Sequence, residues 1–65
     1  MNRNGMANGE LVRQINAYLQ RTDKRQYELA AELGVPAPTV NRWLNGKVKI
    51  SKAYQVILKS KGILP

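Results

Sequence analysis

The side chains able to do chemistry in this chain are few and mostly of one kind. Its 65 residues include no cysteine and no histidine. That removes thiol nucleophiles, imidazole bases, disulfides and zinc sites together. Four carboxylates, Glu10, Asp23, Glu28 and Glu32, are scattered along the first half and make no credible acid–base pair. No catalytic residue, metal site or cofactor is expected, and the chain reads as a non-enzyme. What it has in abundance is positive charge. Eleven Lys and Arg against those four acids give a formal +7. After Glu32 every charged residue is basic: Arg42, Lys47, Lys49, Lys52, Lys59 and Lys61. An uncompensated basic half suits a polyanion, because each neutralised phosphate releases condensed counterions. The same charge would also serve a plain solvated surface or an anionic membrane face. No apolar run approaches the ~20 residues that span a bilayer, and the N-terminus lacks the apolar stretch of a signal peptide. A cytoplasmic, nucleoid-associated protein is expected.

Sixty-five residues make one domain, and a domain this small is marginal without regular helix packing or a partner. With 43% apolar residues it can build a packed core. Residues 1–7 read as a loose tail and 8–65 as the domain. Asn8 or Gly9 can cap a first helix running to about Arg21. Along it Leu11, Val12, Ile15, Tyr18 and Leu19 fall within roughly 120° of arc at 100° per residue. Asp23 with Gln26 fits a capping box. A short second helix from about Lys24 to Leu33 buries Leu29, Ala30 and Leu33, and Gly34 closes it in the left-handed conformation. Val35-Pro36 makes the turn. A third helix runs from about Ala37 to Asn45, with Pro38 in its first turn. Val40, Trp43 and Leu44 share one face of it; Ala37, Pro38, Asn41, Arg42 and Asn45 share the other, within roughly 140°. Lys47 to Ile50 forms a basic loop. Ser51 caps a fourth helix to about Lys61, closed by Gly62. Its apolar set, Ala53, Tyr54, Val56, Ile57 and Leu58, spans roughly 200°, more than one core face requires. Ile63 and Leu64 add apolar surface at the end of the chain.

The segment from Gln26 to Gly46 carries the most information. Two helices that cross steeply must approach closely, so a small residue is needed at the contact, and Ala30 supplies it. The bend between them falls at Gly34. Leu29, Leu33, Val35, Val40 and Trp43 can lock the pair, which leaves the other face of the third helix projecting outward. A helix held proud of its domain fits the major groove, where each base pair shows a unique pattern of donors and acceptors. At these residues the sequence resembles the Cro/CI-type helix-turn-helix family of phage repressors and their bacterial relatives, the XRE family. The match is Gln26, Leu29-Ala30, Leu33-Gly34-Val35, Thr39-Val40 and Arg42-Trp43-Leu44-Asn45-Gly46. The chain departs from the pattern at two caps, with Arg25 and Pro36 where Ser or Thr is usual. Many members also carry a fifth helix or a dimerisation domain, and this chain stops after the fourth.

The resemblance implies an all-α, lambda-repressor-like domain of four helices, or five, around a central helix-turn-helix. It implies a double-stranded DNA operator as the partner, with no small-molecule ligand and no membrane. By position, Gln26 is the phosphate contact that opens the second helix, and Ala37, Pro38, Asn41 and Arg42 are base-reading residues. Thr39, Asn45, Lys47 and Lys49 fall at backbone contacts; Ala30, Gly34, Val40 and Trp43 hold the motif together. The chemistry of the side chains agrees. Arg42 can pair two ways with guanine O6 and N7, and Asn41 with adenine N6 and N7. Ala37 and Pro38 can offer only apolar contact, to a thymine methyl, and Pro38 is equally a simple helix starter. Tyr18, Tyr27 and Tyr54 read as half-buried core residues, with a phosphate contact the lesser reading for Tyr27. The function implied is a Cro-type transcriptional repressor acting as a homodimer on a palindromic operator. The expected dimer surface is the fourth helix with Ile63 and Leu64. The competing readings are an antitoxin, a DNA-targeting module of a recombination or plasmid protein, or a protein-interaction domain that uses the fourth helix.

Overall fold

Each helix of this protein stops where the backbone can turn left-handed, and that pattern sets the architecture. The computed structural model describes residues 7–65. Over them the chain forms four helices and no strand: α1 (Asn8–Thr22), α2 (Gln26–Leu33), α3 (Ala37–Leu44) and α4 (Lys52–Ser60). All four end in the same two-bond closure. The residue after the last turn has its amide bonded back into that turn, and the next amide reaches one carbonyl further. In α2 these bonds run from Gly34 N–H to the Ala31 carbonyl (3.2 Å) and from Val35 N–H to the Ala30 carbonyl (3.0 Å). Gly34 takes φ +75°, where a Cβ would be strained. Gly46 and Gly62 end α3 and α4 in the same way.

α1 is the exception, because Asp23 takes the left-handed position with φ +56°. Its amide bonds the Gln20 carbonyl (3.3 Å), and the Lys24 amide bonds that of Leu19 (3.0 Å). The capping box expected of Asp23 and Gln26 does not form, since Asp23 and Lys24 are used in leaving α1. α2 therefore starts at Gln26, two residues later than the sequence suggests, and Arg25 precedes it with extended backbone. Half a box forms two residues along: the Glu28 carboxylate accepts from the Arg25 amide at 2.7 Å. Arginine has no acceptor to complete it.

The N-terminal cap also differs from expectation. α1 is entered from Ala7, and Asn8 lies inside the helix. Its side chain instead reaches across the molecule and accepts from the Ile50 amide (3.0 Å). The tail expected over 1–7 lies outside the described residues, Ala7 excepted. Ser51 caps α4 as expected, its hydroxyl accepting from the Tyr54 amide (3.3 Å).

The core is built from one face of each helix plus the two connecting ends. Leu11, Ile15, Tyr18 and Leu19 of α1 meet Leu29 and Ala30 of α2, Val40 and Trp43 of α3 and Leu58 of α4. Leu33, Val35, Leu44 and Tyr54 pack against its edge. Each large aliphatic buried this way contributes about 1.5–3 kcal/mol. Tyr54 meets the Trp43 ring edge-on, with centroids 5.2 Å apart, and so ties α4 to α3. Tyr18 is buried with a polar tip: its hydroxyl donates to the Glu32 carboxylate (3.2 Å) and accepts from the Lys24 ammonium (3.0 Å). Lys24 also pairs with Glu32 at 3.1 Å. The hydrogen bonds that Lys24 donates, first to Tyr18 and then to Glu32, hold its ammonium above its usual range.

Ile63 and Leu64 overturn one expectation. Both fold back into the core, each 3% exposed. The Ile63 amide bonds the Leu58 carbonyl at 2.9 Å, so the closure of α4 turns the chain inward and makes these residues part of the protomer. They offer no surface to a second copy. Tyr27 departs in the other direction and is 63% exposed.

Candidate nucleic-acid interface

α2 and α3 make the most extensive helix–helix contact of the domain, and that contact decides what α3 shows to solvent. Ala30 is buried at 2% exposure, and Val40 and Trp43 turn inward at 0% and 2%. With those residues fixed, the opposite face of α3 can only point outward. Ala37, Pro38, Asn41, Arg42 and Asn45 are all exposed. Thr39, on the flank, is half-buried, and its amide bonds the Pro36 carbonyl (2.9 Å) to start the helix. Pro38 sits in the first turn, where it displaces no helical hydrogen bond. The structure thus gathers the expected base-reading residues on one outward strip.

The residues expected at backbone contacts lie around the strip. Gln26 opens α2 and accepts a hydrogen bond from the Asn41 side-chain amide (3.2 Å). Asn45 follows the last turn of α3, and its side-chain amide donates to the side-chain oxygen of Asn41 (3.0 Å). Lys47 and Lys49 are exposed in the loop beyond. That loop is pinned at its far end. The Ile50 amide donates to Asn8, the Ile50 carbonyl accepts from Gln55 (2.9 Å), and the Ile50 side chain is buried. Two side chains from two helices therefore hold the loop that carries the lysines. Val48 stands between them, 44% exposed.

An open cleft of about 800 Å³ lies beside the strip, where the end of α1 and the starts of α2 and α3 converge. Leu19, Ala37 and Pro38 supply its apolar lining; Arg25, Gln26, Tyr27 and Asn41 supply polar groups. The sequence marks Arg25 only as a departure at a helix cap, and it reads Tyr27 as half-buried core with a phosphate contact as the lesser reading. Helical geometry holds the signal that finds Tyr27. At 100° per residue it lies about 110° from the middle of the Leu29–Ala30–Leu33 arc, outside the buried face.

Among the described residues no group of carboxylates could hold a metal ion, and no helix is long and apolar enough to cross a membrane. A helix pair that closes on a small residue and holds its second helix outward among lysines defines the helix-turn-helix class of DNA-binding domains. The family model described as helix-turn-helix matches residues 12–56, from α1 into α4. The chain belongs to the Cro/CI-like, XRE-type helix-turn-helix family, and it is a DNA-binding domain of four helices. That family is one of DNA-binding regulators, typically non-enzymatic. Neither a curated protein nor a solved structure matches the chain.

Proposed function

We propose that this protein is a sequence-specific transcription regulator, a repressor of Cro type that inserts α3 into the major groove of a palindromic operator. The observation that carries the reading is the outward strip of Ala37, Pro38, Asn41, Arg42 and Asn45, set between the start of α2 and a pinned loop bearing Lys47 and Lys49. The strip offers one forked cation, two amides and an apolar end, enough to read base edges. The lysines offer charge without geometry, which suits phosphate. Gln26 and Thr39 flank the groove-facing side and complete the backbone contacts.

One such helix reads only a few base pairs, too few to mark a unique genomic site. Two copies about 34 Å apart, one turn of DNA, double the information and fit the groove repeat. The surface that supports pairing is α4, where Ala53 is exposed and Val56 is 66% exposed. Two strongly basic copies repel in free solution until phosphates neutralise them, so the pair forms on the operator. Occupying a promoter then suffices to repress it.

Selection of bound duplexes from a random pool tests this directly. The expected product is one enriched motif with two-fold symmetry and half-site centres about ten base pairs apart. A pool that binds without enrichment, or a single unsymmetrical short motif, would contradict the reading.

A further inference from the structure

The link between α1 and α2 sets two cations side by side, Lys24 and Arg25, and both line the open cleft beside the outward strip of α3. Their surroundings differ. The Lys24 ammonium is turned back into the protein. It donates to the Tyr18 hydroxyl at 3.0 Å and to the Glu32 carboxylate at 3.1 Å, and it lies 5.4 Å from the centre of the Tyr18 ring. The Tyr18 hydroxyl in turn donates to Glu32 at 3.2 Å, so each of the three side chains touches the other two. They come from separate places: Tyr18 from the buried face of α1, Lys24 from the link, Glu32 from the last turn of α2. Arg25 is exposed, and among the described residues its guanidinium pairs with no carboxylate.

From this we propose that Tyr18 and Glu32 withhold the Lys24 charge from DNA, and that Arg25 is the cation which the entry of α2 gives to the phosphate backbone. The proposal rests on the DNA-facing surface proposed above and needs no particular operator sequence. A cation neutralised within its own chain has no charge left to displace the counterions of DNA. To reach a phosphate, Lys24 would break two charge-assisted bonds, the stronger kind, and leave the Glu32 carboxylate without its cation. Arg25 gives up no ion pair to do the same, and its planar fork can grip two phosphate oxygens at once. The backbone that carries Arg25 is also held on both sides. The Lys24 amide bonds the Leu19 carbonyl at 3.0 Å, and the Arg25 amide donates to Glu28 at 2.7 Å. Two adjacent basic residues look alike in sequence; the difference lies in Glu32, eight positions after Lys24, which folds back on the first of them.

The slope of log affinity against log salt counts neutralised phosphates, so it separates the two cations. Affinities would be measured by fluorescence anisotropy over a range of salt concentrations, on the selected site and on a random-sequence duplex. Thermal melts would confirm that each variant folds. Arg25→Gln should lower the slope by about one on both duplexes. Lys24→Met removes the same charge and should leave the slope at its wild-type value. Glu32→Gln keeps an acceptor for Tyr18 but releases Lys24, and should raise the slope by about one. Adding Lys24→Met to Glu32→Gln should bring it back. A drop of about one in Lys24→Met or a wild-type slope in Arg25→Gln would overturn the proposal. So would a Glu32→Gln slope that does not rise, or a rise that survives the loss of Lys24. These slopes can be read on any duplex and are separate from the operator reading, which falls if the wild-type protein selects no motif.

Discussion

Lys47 and Lys49 carry the same charge as Arg42 and are exposed like it, yet their expected roles differ. A guanidinium is a planar fork and an ammonium a point charge. The lysines stand in a loop fixed by Asn8 and Gln55, neither of which touches α3's outward strip. They should set affinity and leave sequence preference alone. Lys47→Gln should weaken binding to cognate and random duplexes by the same factor. It should also lower the slope of log affinity against log salt by about one. A variant with wild-type slope would remove Lys47 from the backbone contacts. Asp23 supports a prediction on stability. It holds φ +56° without the freedom of glycine. Asp23→Gly relieves the left-handed strain and should raise stability by about 0.5 kcal/mol in thermal or urea melts. A decrease would show that the Asp23 side chain supplies more than the backbone costs. The sequence offers Asp23 to a capping box because Asp and Gln stand three apart. It cannot show that α1 needs a left-handed exit at the same residue, and that need takes precedence.

At the scale of elements, the helix-turn-helix is the most legible part of the chain. Ala30, Gly34, Val40 and Trp43 stand at the spacings a tight helix-turn-helix needs, and the structure buries the three apolar ones. Around Gly34 a Cβ would meet no atom within 4 Å. The penalty for replacing it is thus conformational rather than steric. Gly34→Val should cost about 1–3 kcal/mol, and Gly34→Asn clearly less, because Asn tolerates the left-handed region. Equal melting temperatures for the two variants would contradict that account of the turn. Ala30→Leu acts by the opposite route, by overpacking, and should cost about 1–3 kcal/mol. Helix starts were less legible than helix ends. Each end carries a residue that tolerates positive φ, a local signal. At the start of α1 the Asn8 side chain, read as a cap, bonds Ile50 instead, a partner 42 positions away that no local pattern contains.

For the whole molecule, the lesson concerns the C-terminal segment. Apolar Ile63 and Leu64 after a closing Gly62 read as sticky surface. The bond from Ile63 to the Leu58 carbonyl turns them into core instead. Apolar character alone does not say whether a segment covers its own domain or another copy. The distinction has a measurable consequence. Ile63→Asp buries an unpaired carboxylate and should unfold the protomer, since several kcal/mol is comparable to the stability of so small a domain. Val56→Glu changes a residue that is 66% exposed and should leave the melt intact. If α4 is the pairing surface, Val56→Glu should also reduce two copies per operator to one in sedimentation with a full duplex. Two copies at saturation in that variant would move the contact elsewhere.

The central claim is that the outward strip of α3 reads sequence, and Arg42 is its sharpest instrument. The deciding measurement is the affinity of wild type and Arg42→Ala across every single-base variant of the selected site. Wild type should prefer guanine strongly at one position per half-site. In Arg42→Ala that preference should vanish, cognate binding should fall by about 1–3 kcal/mol, and the ranking of bases at all other positions should stay as it was. Uniform weakening on every duplex, with the full base preference retained, would make Arg42 a phosphate contact and contradict the claim.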